Sequence, residues 1–129
     1  MSFITEYRRK PHFQRSEDAA RQRARKFLPI IIDVEIDAVR LLRNKFTIAE
    51  SDSERATVAF LYRLARRHSS PVLLENQAIF GAARCYASER TTSDNHMLCT
   101  SHSLDPVFRK HVSSDGHLYV VFVVDDVFG

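Results

Sequence analysis

Apolar side chains recur at three- and four-residue spacing through residues 53–88. Ala56, Ala59, Phe60, Leu61, Leu64 and Ala65 line one face of a helix. Ser53 is placed to cap its first turn, and Arg63, Arg66 and Arg67 fall where the helix dipole favours cations. Ser70-Pro71 then supplies a cap and a first-turn proline for a second helix. Along it Val72, Ile79, Ala83 and Tyr86 form one stripe, and Leu73, Phe80 and Ala87 its neighbour. The pattern predicts a helical hairpin at the centre of the chain, with Phe60, Leu64, Ile79 and Phe80 in the core.

Towards the N-terminus the pattern predicts more helix. Ser16 caps a segment running to Leu28, acidic at its start and basic at its end, and Pro29 closes it. Residues 30–46 carry two periods at once. Ile32, Val34 and Ile36 alternate with Asp33, Glu35 and Asp37 as in a strand, while Ile31, Val34, Ala38, Leu41 and Leu42 share a helical face. The order of charges, acids first and Arg40, Arg43 and Lys45 last, favours a helix over about residues 31–45. Residues 47–52 read as its connection to the hairpin. Beyond residue 88 the character changes to a polar loop at 89–95, a short strand at 97–100 and a short helix holding Val107, Phe108 and Val112. An Asp115-Gly116 turn and a strand over residues 117–124 follow, the strand apolar enough to be covered on both faces. The expected fold class is therefore α+β: a helical N-terminal two-thirds built round the central hairpin, followed by a small antiparallel sheet.

Composition fits one domain over residues 16–129, preceded by a basic and aromatic arm over residues 1–15. At 129 residues, 44% hydrophobic and 27% charged, such a chain buries a core without metal or disulfide. No apolar run approaches the roughly 18 residues of a membrane span, and no secretory signal is visible. Cys85 and Cys99 make no disulfide scaffold, so an intracellular, reducing compartment is expected. The net charge of +3 conceals an asymmetry: residues 1–67 hold 15 Lys and Arg against 9 Asp and Glu, residues 68–129 hold 4 against 7. A basic front half suggests a side that faces an anionic partner.

Several residue groups bear on chemistry. Val123-Val124-Asp125-Asp126 has the form of an acidic strand end at a nucleotide site, but with Gly81, Gly116 and Gly129 as the only glycines no phosphate loop can be built. His96-x-x-Cys99-x-x-His102, with His111 and His117 downstream, has metal-ligand types, yet residues three apart in a strand point to opposite faces and no second cysteine pair exists. No metal and no cofactor is expected. The same region permits acid–base or nucleophilic chemistry through His102, His117 and Cys99. A helix-turn-helix reading of the central hairpin is weakened by its second helix, where Asn76 and Gln77 are the base-reading types and no cation precedes Arg84.

The remaining signal is eight cations, Arg8, Arg9, Lys10, Arg15, Arg21, Arg23, Arg25 and Lys26, interleaved at the start with Phe3, Tyr7 and Phe13. The sequence therefore points to a non-catalytic binding or structural subunit of a nucleoprotein or multiprotein assembly. It would contact a polyanion or an acidic partner through this arm and first helix, with RNA or other subunits as partners and no membrane insertion. The alternatives are a small histidine-dependent hydrolase or nuclease and a winged-helix-like DNA-binding protein.

Overall fold

The computed structural model describes residues 2–72, 79–86 and 94–124. Two helices come first: α1 (Phe3–Tyr7), capped by the Ser2 hydroxyl on the Thr5 amide, and α2 (His12–Ala24). Strand β1 (Phe27–Glu35) is followed by β2 (Arg40–Leu41), β3 (Lys45–Ala49) and α3 (Val58–His68). Then come β4 (Ser69–Ser70), β5 (Ile79–Cys85), β6 (Asp94–Leu98), α4 (Leu104–His111) and β7 (Leu118–Val124). Among the described residues the main sheet has five strands in the order β3-β1-β7-β5-β6, and β2 pairs with β4 beside it. The central pair, β1 and β7, is parallel; the other neighbours in the main sheet are antiparallel.

Strand alternation sorts the core into two layers. Leu28, Ile30, Ile32, Phe46, Ile48, Leu118, Val120 and Phe122 face α3 and α4, meeting Val58, Leu61, Ala65, Leu104, Val107 and Phe108. Ile31, Tyr119 and Val121 face the other way, onto Ile4 and Tyr7 of α1. With both faces covered, β7 is apolar without alternation, as expected for residues 117–124, and β1 is buried from Leu28 to Val34, Asp33 included.

The expected fold class is overturned. The sheet is mixed and holds five strands, and the first two-thirds of the chain contribute β1, β3 and β5 to it. Residues 31–45 are strand, turn and strand. The β-branched run Ile30, Ile31, Ile32 and Val34 packs between two helical layers, and Ala38 ends any continuation at a φ of 63°. The helix expected over residues 16–28 is α2, which begins at His12 and stops before Lys26, whose φ of 62° turns the chain into β1.

The central hairpin is one helix and one strand. α3 forms on the expected stripe, but its N-cap is Thr57, and Ser53 instead donates its hydroxyl to the Glu50 carbonyl. Residues 79–85 are strand β5. Gly81 explains why the helical stripe there misleads: a Cβ built on it lies 3.0 Å from the Phe122 ring, so the missing side chain lets β5 lie against β7's aromatic. Phe60 and Leu64 pack against the core from half-buried positions, while Phe80 is 38% exposed. Residues 73–78, 87–93 and 125–129 lie outside the described residues, and with them Asn76, Gln77, Asp125 and Asp126.

Candidate functional site

Strand β3 is an edge of the sheet, and its sequence Lys-Phe-Thr-Ile-Ala sets which groups it presents. Phe46 and Ile48 are buried, Lys45 and Thr47 exposed. Two hydrogen bonds fix the phase of the ladder: Ile32 N–H donates to the Asn44 carbonyl at 2.9 Å, and Glu50 N–H to the Lys26 carbonyl at 2.9 Å. In an antiparallel pair, bonded and non-bonded partners alternate. Phe46 and Ile48, opposite Ile30 and Leu28, therefore spend their backbone groups on β1. Lys45, Thr47 and Ala49 turn their N–H and C=O groups outward, to an edge that no described strand covers, where Arg43 Nε donates to the Lys45 carbonyl at 3.2 Å.

A cavity lies on each side of this edge. One, of about 300 Å³, sits between α2 and β3 and is lined by Asp18, Arg25, Pro29, Lys45, Phe46 and His117 among others. The second, of about 450 Å³, sits between β3 and α3, with Ile48, Ala49, Ala56 and Phe60 as its apolar lining and Arg55 and Arg63 at its rim. Thr47 lines both.

A polar chain, buried at one end, supplies Asp18, Lys45 and His117 to the lining of the first cavity. Arg15, 0% exposed, donates through Nε to Asp115 at 3.0 Å and through Nη1 to the carbonyls of Arg8 and Lys10 at 2.9 and 2.5 Å. Asp115 also accepts from the Tyr119 hydroxyl at 2.5 Å and the His117 amide at 2.9 Å. The Tyr7 hydroxyl lies 3.3 Å from His117 Nε2 and donates to Asp18 at 3.0 Å, and Asp18 meets Lys45 Nζ at 2.5 Å. Burial pushes the Asp115 carboxyl up, but the hydrogen bonds from His117 and Tyr119 outweigh it and hold it well below the carboxylate range. Asp18 is likewise raised by burial and lowered further by Lys45 and Tyr7, ending below its ordinary value. Burial and the neighbouring carboxylates push the Tyr7 and Tyr119 hydroxyls well up, so both stay protonated donors.

The eight cations singled out in the sequence are dispersed. Arg15 is the buried partner of Asp115, and Arg8 lies 3.6 Å over the Tyr86 ring. Arg23 is 3.5 Å from Glu50, Arg21 3.5 Å from Asp18, and Arg25 lines the cavity beside β3. Arg9, Lys10 and Lys26 are exposed. Residues 2–15, expected as an arm, form α1 and the start of α2, with Ile4 and Tyr7 buried on the sheet.

The histidines divide. His117 lines the cavity beside α2, His102 a different one beside α4. Cys99 is exposed, its thiol held below the ordinary value by Ser101, 3.1 Å away. His102, His117 and Cys99 are not assembled into one site. His96 and His111 do meet, with Cys85 rather than Cys99. Sequence reasoning missed β3 altogether, although the alternation of Lys45, Phe46, Thr47 and Ile48 was there to be read.

No protein-family model matches the chain, and no curated protein sequence matches it. Its fold is similar to solved structures, among them the crystal structure of Trypanosoma brucei ATG8, with a TM-score of 0.63 and 25% identity over 89% of each chain. The arrangement is the ubiquitin-like β-grasp: a mixed sheet gripping α3, with two further helices on its other face. This likeness overturns the expectation of an RNA-binding nucleoprotein subunit and supports partners that are proteins. The winged-helix alternative falls with it, since residues 79–85 are a sheet strand. No described helix is long and apolar enough to cross a membrane.

Proposed function

We propose that this chain is a protein-binding module that takes an extended segment of a partner protein onto the free edge of β3. The observation that carries the reading is the outward row of backbone groups at Lys45, Thr47 and Ala49, with a cavity on either side of it. An extended guest adds as a sixth strand: main-chain bonds supply affinity and alternate side chains supply selectivity. Because successive side chains point to opposite faces, the two that fill the two cavities stand an odd number of residues apart in the guest. Arg25, Arg43, Arg55 and Arg63 surround the edge, against Asp18 and Asp52, so an acidic guest fits best. The likeness to ATG8 supports a protein-binding role of this kind, and an intracellular setting, where Cys85 and Cys99 stay free, belongs to the same proposal.

The test is selection from a display library of random linear peptides against the full chain, followed by affinity measurement on Thr47→Pro. Proline at an outward-facing edge position leaves the β1 ladder intact but removes one donor to the guest. Selected peptides are expected to be extended and acidic, and to bind Thr47→Pro about 5–30-fold more weakly, the factor that one or two kcal/mol represents. Peptides that bind the variant as well as the parent would refute the edge as the docking site.

A further inference from the structure

We propose that Cys85, His96 and His111 form a binding site for a zinc ion that ties the end of α4 to the β5–β6 strand pair. The fold brings these residues together from three elements. Ala83 is a core residue on the face that α3 and α4 cover, and strand alternation places Cys85, two residues on, on that same face. The register sets Ala83 opposite His96, so the His96 side chain shares the face as well. α4 crosses this face and ends at His111, which is buried.

The donor atoms of the three lie within 4.8 Å of one another. Cys85 Sγ is 3.6 Å from His111 Nδ1, and the His96 and His111 rings are 4.9 Å apart. Ligands 2.0–2.3 Å from a tetrahedral ion stand about 3.5 Å from each other, so the Cys85–His111 pair already has the required separation. His96 is exposed on an edge strand and can close the remaining distance by side-chain rotation. A thiolate and two imidazoles suit zinc, a borderline-soft ion that takes sulfur and nitrogen. Binding replaces the thiol proton, which leaves to solvent, with a zinc–sulfur bond. His96 and His111 also line a cavity of about 760 Å³, together with His102 and Lys110, from which water can supply the fourth ligand. The sequence pattern around Cys99 pointed to a different set, because the pairing of β5 with β6 is invisible to local spacing.

The test uses the full chain stripped with chelator, then titrated with cobalt(II) as a spectroscopic probe and with zinc(II) against a chromophoric competitor. One cobalt per chain is expected, with a thiolate-to-cobalt charge-transfer band and the intense visible bands of a tetrahedral ion. Cys85→Ser should abolish the charge-transfer band. His96→Ala, at an exposed position, should leave the metal-free Tm unchanged and weaken zinc by more than roughly tenfold, a loss that even outer-shell partners produce. Cys99→Ser should change neither. A missing charge-transfer band, a band that survives Cys85→Ser, or zinc affinity unaltered by His96→Ala would each overturn the site.

Discussion

The two faces of the sheet are stabilised by different physics. Under α3 and α4 the contacts are aliphatic and aromatic: Leu28, Ile30, Ile32, Leu61, Leu104 and Phe122 with no charged group among them. Under α1 and α2 the apolar patch is smaller, and a chain of Arg15, Asp115, Tyr119, His117, Tyr7, Asp18 and Lys45 holds the helices down. A buried ion pair adds less net stability than apolar packing, but its hydrogen bonds are directional and so constrain orientation. Here it ties α2 to Asp115 through the buried Arg15 and to β3 through the Asp18–Lys45 contact. Cations early in this sequence therefore also serve as internal fasteners: Arg15 is 0% exposed and spends its charge on Asp115 inside the fold.

Breaking one partner of the polar chain gives the largest expected effect. Asp115→Asn leaves Arg15 buried without its counter-ion and should cost about 3–5 kcal/mol in denaturant unfolding at neutral pH; a cost under about 1 kcal/mol would mean the chain is not a fastener. On the opposite face Leu61→Ala should cost about 2–5 kcal/mol and show no pH dependence. The contrast sharpens in acid. Asp115 and Asp18 titrate below their unfolded values in the folded chain, so the unfolded state binds more protons there. Their contribution is complete above about pH 4 and is lost as pH falls through the folded values. Asp33 works in the opposite sense, because burial raises its carboxyl and its contribution fades as pH rises through that raised value. Urea melts from pH 7 down to pH 2 should therefore show stability falling in acid, and falling less in Asp115→Asn. The smallest effect is expected at Phe80→Ala, about 1 kcal/mol or less, since this ring is part-exposed on β5.

Legibility in the sequence followed how local each constraint is. α3 was readable because Leu61 and Ala65 repeat at helical spacing, and β7 because five consecutive β-favouring apolar residues leave no helical face. β1 was not, because the alternation of Ile32 and Val34 with Asp33 and Glu35 competes with a helical face through Ile31, Val34 and Ala38, and the order of charges matches a helix dipole. β5 was not, because Ala82 and Ala83 favour helix locally while the close approach of Phe122 to Gly81 decides otherwise from a distance. The candidate edge was half legible: Phe46 and Ile48 alternate with Lys45 and Thr47, but nothing local says that β3 lies at the margin of the sheet. The Cys85–His96–His111 cluster needs the β5–β6 register and α4 together, and no spacing rule supplies either.

Backbone hydrogen exchange along β3, with and without a saturating selected peptide, reads the docking edge residue by residue. In the free chain the amides of Phe46 and Ile48 are bonded to β1 and should exchange slowly, while those of Lys45, Thr47 and Ala49 point outward and should exchange fast. A guest strand on this edge should protect Lys45, Thr47 and Ala49 and leave Phe46 and Ile48 unchanged. Binding that leaves those three amides fast, or that protects residues elsewhere in their place, would contradict the account.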